Sequence, residues 1–368
     1  MKKYIYSLAL IALIIEAIFI YKYFPKKSEL NQTQNQSKTE VIEQSIQNLK
    51  PQKPAKTKTF ITNTNQIFEQ QPQAQTNDSF TITSTGDIML GRAVNIKTIE
   101  HKDFSWAFKN ISETLKDSDL TFINLENPLF ENCPSKNTGM IFCASEKHTQ
   151  GLLLAGIDAA SLSNNHTFNY GEKGISDTIK ILEDADIIPV GMENPKYITK
   201  NGVKIALLAY NQIECTQKRP DCIDSTKIKN EIAIAKQNSE FVVIMFHWGV
   251  EYQSKPTQNQ IDIAYQAIDA GADMILGNHP HWIQPLEIYR DKLIVYSHGN
   301  TIFDQMWSQK TREGIIVKTT IDKASKKIEA INIYPTLIED FGQPKILNQN
   351  TSDYANQIEY LKKLSINN

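Results

Sequence analysis

From Phe80 onwards, short apolar runs alternate with amphipathic segments. Apolar runs of about four to eight residues are typical of strands in a largely buried sheet, and the amphipathic segments between them are typical of helices. Clear examples are the runs at 241–246 and 273–276 and the amphipathic segment at 257–270 between them. The pattern predicts an α/β domain made of βα units. Four later runs are expected to be antiparallel strands that close a second sheet: 286–288, 293–296, 314–321 and 327–334.

Polar side chains able to bind a metal follow five of the predicted strands. They are Asp87, Glu126, Asn165, His166, His247, His279 and His281. Singly, each has a simpler interpretation, such as a helix cap, a solvated strand end or an Asn-rich turn. In open α/β sheets, however, ligands bind outside the carboxyl ends of the strands, so one shared site explains all five positions.

Two of these histidines, His279 and His281, flank Pro280. Proline pushes the preceding residue out of the helical region, so His279 is expected to be extended. Residues i and i+2 of an extended chain point to the same side, so both imidazoles should enter one space. A polar turn without a ligand is the alternative.

Apart from His166, the set offers two carboxylates, one amide oxygen and three imidazoles. These groups suit Mn, Fe or Zn, as one ion or a pair, and indicate metal-assisted hydrolysis. The sequence has no G-x-S-x-G motif for a serine nucleophile, and no P-loop or dinucleotide-binding fingerprint. A formal net charge of -2 gives no electrostatic argument for nucleic acid.

Six longer motifs surround these strand ends: Thr85-Gly-Asp-Ile-Met-Leu-Gly91, Asn124-Leu-Glu-Asn-Pro128, Ser163-Asn-Asn-His166, Phe246-His-Trp-Gly-Val-Glu-Tyr252, His279-Pro-His281 and Tyr296-Ser-His-Gly-Asn300. In these motifs the sequence resembles the CapA/PgsA family, the capsule and poly-γ-glutamate biosynthesis proteins. The resemblance covers residues 81–305 and implies a calcineurin-like metallophosphoesterase fold: an α-β-β-α sandwich of two mixed sheets.

The wider metallophosphoesterase pattern implies a role for each site residue. Asp87, Glu126 and His281 would bind a first metal. Glu126 would be shared with a second metal, whose other ligands would be Asn165, His247 and His279. His166 would face the substrate and protonate or stabilise a leaving group.

One usual ligand of the first metal is missing, because Met89 stands at its position. A thioether is a poor ligand for such a site, so Met89 is expected to pack in the core. The second metal is therefore predicted to be well held, and the first to be weak or absent.

Three further residues have open roles. Arg92 is a candidate substrate contact or a surface cation. Glu251 is a candidate substrate contact or an orienter of His247. His298, where the family usually has leucine, either lines the site or belongs to a polar turn.

Outside the domain, the chain begins with an apolar stretch at 4–21 flanked by lysines. Its helical length approaches the roughly 30 Å hydrocarbon core, and no small-x-small cleavage site follows it. Residues 1–25 are predicted to be a single-pass signal anchor and 26–77 a flexible polar linker with a weak apolar patch at 60–68. The domain is predicted at 78–345 and a tail with a surface helix at 346–368.

The four cysteines form two close pairs in polar sequence, Cys133 with Cys143 and Cys215 with Cys222. Local disulfides fit this spacing and would place the domain outside the cytoplasm. A zinc knuckle is the alternative, but neither pair has the C-x2-C spacing of common zinc sites.

Together, these features predict a membrane-anchored extracytoplasmic protein that makes or handles a capsule-like polymer such as poly-γ-glutamate. The expected chemistry is metal-dependent hydrolysis of a phosphoester or an amide. The alternatives are a general metallophosphoesterase and a non-catalytic subunit that tethers the polymer or its membrane synthase.

Overall fold

The computed structural model describes residues 60–69, 77–136, 138–215 and 219–366. The predicted anchor and most of the predicted linker lie outside these residues. Within them, no helix is both long enough and apolar enough to span a bilayer.

The strands of this part of the chain are β1 (Ser79–Ile88), β2 (Leu120–Leu125), β3 (Ala159–Ser161), β4 (Ile188–Val190), β5 (Lys196–Lys200), β6 (Val203–Asn211), β7 (Phe241–His247), β8 (Met274–Asn278), β9 (Leu286–Tyr289), β10 (Lys292–Val295), β11 (Asn300–Ile302), β12 (Glu313–Asp322), β13 (Ile328–Glu339) and β14 (Gln343–Ile346). The helices are α1 (Gln66–Glu69), α2 (Arg92–Glu100), α3 (Ser112–Lys116), α4 (Thr149–Leu154), α5 (Gly171–Asp184), α6 (Ser225–Asn238), α7 (Gln258–Asp269), α8 (Gln309–Arg312) and α9 (Ser352–Ile366).

The strands form two mixed sheets. The first has the order β14-β13-β12-β1-β2-β3-β4, with β11 pairing in parallel to the end of β1. The second has the order β5-β6-β7-β8-β10-β9. The expectation that all four late runs close the second sheet is wrong for two of them. β9 and β10 do so, whereas β12 pairs antiparallel with β1 and brings β13 into the first sheet.

Alternate residues of the central strands pack into different layers. In β7, Val243 and Met245 belong to a core that contains strand residues of both sheets, whereas Ile244 and Phe246 pack with residues of α6 and α7. The outer face of the first sheet packs in the same way on its own helices and loops. The layers are therefore helix, sheet, sheet, helix.

The weak apolar patch predicted within the linker packs against the domain. Ile61 and Ile67 are buried in the core between the sheets, and the Ile61 amide donates to Ile328 O at 2.8 Å. At the other end of the chain, Leu361 of α9 is buried in the same core. The segment before β1 and the helix after β14 therefore both contribute to this core.

Two rows of polar residues face each other at the carboxyl ends of the strands. In the first sheet, Asp87 is in register with Asn124. In the second, His247 is in register with Asn211 on one side and Asn278 on the other. Because neighbours in register share a face, these polar rows end the apolar core between the sheets and open the site.

A β-bulge turns Asp87 towards the core. Phe80 and Ile82 of β1 face the core between the sheets, so an unbroken strand would point Ile88 inwards and Asp87 outwards. The register with β2 shifts between Ser84 and Asp87, and Ile88 packs in the outer core instead. The bulge therefore exchanges the faces of these last two residues.

Both predicted disulfides are confirmed: Cys133 is bonded to Cys143, and Cys215 to Cys222. The second closes a loop that carries Arg219. The Arg219 guanidinium donates to the Asn164 carbonyl oxygen at 2.7 Å, so this loop contacts the turn that follows β3.

Candidate metal centre

Two carboxylates and one imidazole form the centre of the site. Asp87 is the second-last residue of β1, Glu126 directly follows β2, and His281 follows β8. One potential ligand atom of each lies within 4.8 Å of the others. His281 Nδ1 is 3.1 Å from Asp87 Oδ2, and His281 Nε2 is 3.9 Å from Glu126 Oε1. All three side chains are buried, so few water molecules can screen them.

The two carboxylates have opposite pKa shifts. Burial alone would raise the pKa of Asp87, but a hydrogen bond to His281 and the electrostatic effect of the nearby His281 and His247 rings lower this pKa below its usual range. The pKa of Glu126 is raised well above its usual range, first by burial and then by the negative charge of Asp87. A bound cation would favour the ionised form of both groups.

Asn165, His247 and His279 lie next to this centre. His247 Nε2 is 2.9 Å from Asn165 Oδ1, and the His247 and His279 ring centroids are 4.9 Å apart. Burial is the main reason that the pKa of His247 is well below its usual value and that the pKa of His279 is lowered to about 3. Both rings are therefore neutral at pH 7, which is the form that binds metals.

The backbone of the histidine motif differs from the expectation. His279 has a φ of 98° and His281 a φ of 56°, so His279 is not in the extended conformation. A φ of 98° lies outside the extended region that proline favours for the residue before it, so the expectation is wrong for His279. The two rings nevertheless enter the same space, with centroids 6.0 Å apart. The His279 amide donates to Asp87 Oδ2 at 3.2 Å, which ties this unusual backbone to the site.

His166 lies across the centre from His281. Its Nε2 is 3.9 Å from Glu126 Oε1, and its ring stacks on Phe142 at 3.8 Å. Its Nδ1 is 2.9 Å from Asn169 Oδ1, which can only accept, so Nδ1 carries the proton and Nε2 faces the site as an acceptor. Burial is the main cause that lowers the pKa of His166 to about 4.

Arg92 is part of the site wall and not a surface cation. Its guanidinium forms an ion pair with Asp304 and lies 4.4 Å from the Phe142 ring centroid. Glu251 directly precedes Tyr252, whose ring centroid lies 6.1 Å from that of His281, and the Glu251 charge contributes to the raised pKa of Glu126. The ring nitrogens of His247 face Asn165 and Asn124, so amides orient this ring.

Three asparagines that the sequence did not single out hold the site together. Asn124 Nδ2 donates to Asp87 Oδ1 at 2.8 Å and lies 3.3 Å from Glu126 Oε2. Asn164 donates to Asn124 Oδ1 at 3.1 Å, and Asn300 accepts from His281. The sequence did contain a signal for Asn124: it lies two residues before Glu126 at the end of a predicted strand, so the two side chains are expected on the same face.

Met89 and His298 have structural roles. Met89 is buried in the outer core, and its sulfur accepts from the Gly91 amide at 3.0 Å, which confirms the packing role. His298 is fully buried, and its ring nitrogens lie 2.8 Å from Ser84 Oγ and 2.9 Å from Gly277 O. His298 therefore connects the first sheet with the end of β8.

The donor set fits a divalent metal. Glu126 Oε1 and His279 Nδ1 are buried, and within the described residues neither has a hydrogen-bond partner. Buried polar atoms without partners are unfavourable, and a cation between the two sheets would satisfy both atoms. Carboxylate, imidazole and amide oxygen are ligands that Mn, Fe and Zn accept.

Comparison with known proteins agrees with this geometry. The model of the family described as "Bacterial capsule synthesis protein PGA_cap" matches residues 81–305, a range that contains all the site residues named above. The chain belongs to the PGA_cap family. Two curated relatives support the assignment. The chain is 32% identical over 291 residues to the capsule biosynthesis protein CapA of Bacillus anthracis, covering 73% of this chain and 70% of that protein. It is 30% identical over 263 residues to the PGA biosynthesis protein CapA of Bacillus subtilis, covering 67% and 69%.

More distant similarity extends this PGA_cap assignment to a solved fold. A probable polyglutamine synthesis accessory protein of Mycobacterium tuberculosis is 20% identical over 333 residues, covering 81% of this chain and 87% of that protein. The solved structure of a phosphatase from Mycoplasma pneumoniae superposes with a TM-score of 0.52 at 15% identity, covering 70% of this chain and 94% of that one. At this identity the likeness concerns the fold alone.

Proposed function

We propose that this PGA_cap protein is a metal-dependent hydrolase that acts on a phosphoester or an amide during the synthesis or handling of a capsule polymer. The observation that carries the proposal is the buried Asp87–Glu126–His281 centre, in which Glu126 Oε1 has no hydrogen-bond partner among the described residues. A structural carboxylate pair would be expected to have complete hydrogen bonding, so this oxygen without a hydrogen bond favours a bound cation.

Two groups of residues would hold the metal. Asp87, Glu126 and His281 would bind a first ion. Glu126 would share a second ion with Asn165, His247 and His279. When bound, a divalent cation would polarise the scissile bond and lower the pKa of a water molecule towards neutrality.

His166 and Arg92 would act on the substrate from the side of the site that Phe142 forms. The unprotonated Nε2 of His166 faces Glu126, where it can receive a proton or a hydrogen bond from the substrate. The Arg92 guanidinium is held over Phe142 by Asp304, so its charge is fixed in position beside the centre. A fixed cation of this kind stabilises negative charge that develops on a reacting group.

The polymer is proposed from the names of the relatives, which refer to capsule, PGA and polyglutamine synthesis. Poly-γ-glutamate, or the membrane synthase that makes it, is the proposed partner. Attachment to the membrane by residues 1–25, with the domain outside the cytoplasm, is proposed from the apolar stretch at 4–21 and is supported by the two disulfides. Protease treatment of intact cells should therefore cleave the domain, and its protection would contradict this location.

Metal content and activity of the full chain test the function. The purified protein should contain Mn, Fe or Zn and hydrolyse either p-nitrophenyl phosphoesters or γ-glutamyl polymer, and His247→Ala should lose activity by at least about a hundredfold. Metal-dependent cleavage of phosphoesters alone would favour a general metallophosphoesterase. A protein without metal, unaffected by His247→Ala, would instead be a non-catalytic subunit.

A further inference from the structure

Three aromatic side chains extend outwards from the proposed metal centre. The Tyr252 ring lies 6.1 Å from the His281 ring, centroid to centroid. Trp307 meets Tyr252 edge-on at 4.9 Å, and Trp282 lies 6.2 Å from Tyr252 on another side. Tyr252, Trp282 and Trp307 are called the aromatic platform below. Trp307 is therefore two ring contacts away from a proposed metal ligand.

Hydrogen bonds fix the platform to the ligand-bearing segment. The Tyr252 amide donates to the Pro280 carbonyl oxygen at 2.8 Å, inside the histidine motif. Gln305 Nε2 donates to the Tyr252 hydroxyl at 3.3 Å, and Gln305 Oε1 accepts from Asn300 at 3.2 Å. Because Asn300 also contacts His281, the platform and the metal centre are built as one unit.

The platform is open to solvent at its outer end. Trp307 is 61% exposed, a large value for the largest apolar side chain. Tyr252 has a φ of 60°, a conformation that is uncommon for a bulky residue and concentrates at functional sites. An exposed indole held beside a strained tyrosine and a buried polar centre is better explained by a ligand than by core packing.

The charges around the platform indicate what kind of ligand it takes. Lys310 Nζ lies 4.3 Å from the Trp282 ring centroid, so one cation borders the platform. The negative charge of Glu251 is next to Tyr252, whose pKa is raised to about 12 by burial first and then by Glu251. Because Lys310 and Glu251 carry opposite charges, they offer little net attraction to a polyanion. They offer a hydrogen-bond donor and an acceptor to the hydroxyl groups of a sugar whose apolar face lies on an aromatic ring.

We propose that the aromatic platform binds a sugar ring of a phosphorylated saccharide, with the phosphate directed towards the metal centre. The position of the phosphate rests on the proposed hydrolase function, whereas the binding of the sugar ring does not. The proposed ligand contains a ring, and poly-γ-glutamate does not.

Binding to the full-length chain tests the proposal. The probes are glucose 1-phosphate, inorganic phosphate and poly-γ-glutamate, each titrated by calorimetry in the presence of Mn²⁺. Trp307→Ala should weaken glucose 1-phosphate binding by about 3- to 10-fold and leave phosphate unchanged, while Trp307→Phe keeps most of the affinity. The matched control is Phe341→Ala, which removes an aromatic ring that is 46% exposed in the turn between β13 and β14.

Two results would overturn the proposal. One is wild-type affinity of Trp307→Ala for glucose 1-phosphate. The other is a loss of poly-γ-glutamate binding as large as the loss for the sugar, which would assign the platform to the polymer. Activity is read separately: sugar binding that depends on Trp307 without turnover would refute the hydrolase function alone. Metal-dependent turnover with KM unchanged by Trp307→Ala would refute the platform alone.

Discussion

Asn300 fixes the orientation of the His281 ring through a contact of 2.9 Å between Asn300 Oδ1 and His281 Nδ1. The Asn300 Nδ2 group donates to Thr311 O at 2.9 Å and to Gln305 Oε1 at 3.2 Å, so Asn300 Oδ1 must face His281. An oxygen can only accept, and Nδ1 therefore carries the proton. The other ring nitrogen, Nε2, is directed towards Glu126.

Loss of this amide should weaken metal binding, because partners that orient a metal-binding histidine affect affinity almost as much as the ligands do. For Asn300→Ala we expect the Mn²⁺ affinity of the first metal position, which contains His281, to fall by about 10- to 100-fold, measured by calorimetry on the folded protein. Asn238→Ala, at the exposed end of α6, is the control. Unchanged affinity in Asn300→Ala would show that His281 does not bind the metal.

Ion stoichiometry in two variants should separate the two proposed metal positions. His281→Ala removes a ligand from the first position, which has three, and His247→Ala removes one from the second, which has four. The wild-type second ion should be the tighter one, so His281→Ala should keep about one ion per chain and His247→Ala should lose it. Elemental analysis after dialysis measures the content. The reverse result would mean that the negative charges of Asp87 and Glu126 determine metal affinity more than the number of ligands does.

The sequence located the site better than it located the sheets. Asp87, Glu126 and the histidines were placed at strand ends because local alternation shows where a strand stops. The assignment of β12 to the second sheet failed, since its partner β1 lies more than 200 residues earlier in the chain and no local pattern records that pairing.

Local sequence patterns also could not predict how the side chains of the site are oriented. The inward direction of Asp87 depends on a bulge, and the φ of His279 depends on a hydrogen bond to Asp87 across the sheets. The roles of Asn124 and Asn300 depend on contacts between distant segments. Trp307 gave no signal in the sequence, because its exposure and its contact with Tyr252 exist only in the fold.

Gly86, within the bulge that directs Asp87, allows the Gly299 backbone to approach closely. A Cβ atom at this position would lie 2.1 Å from the Gly299 carbonyl oxygen, and both are backbone segments that cannot move independently. Gly86→Ala should therefore lower the free energy of unfolding by about 2–3 kcal/mol and also weaken metal binding. Urea unfolding measures the first effect. Gly202→Asn is the control, because a side chain at that turn meets open space and asparagine tolerates its φ of +80°. Equal stability of the two variants would contradict this role of Gly86.

Stability should fall with acid partly because of His148, which lies away from the metal centre. Its Nε2 is 2.9 Å from Asn95 Oδ1, and burial lowers its pKa from 6.5 to about 4. Between these two pH values the unfolded chain binds a proton here that the folded protein does not bind. The contribution of the neutral His148 ring to the free energy of unfolding is therefore fully present above pH 6.5 and is lost as the pH falls towards 4.

Substitution of His148 isolates this contribution from those of His166, His247, His279 and His298, whose pKa values are also lowered. In wild type, the two pKa values of His148 correspond to a decrease of about 2 kcal/mol in the free energy of unfolding at pH 5. His148→Gln should reduce the difference in unfolding free energy between pH 7.5 and pH 5 by about this amount in urea titrations. His101→Gln, at an exposed position, should leave the difference unchanged. If His148→Gln shows the full wild-type difference, His148 is protonated in the folded protein at pH 5, and the acid sensitivity has another source.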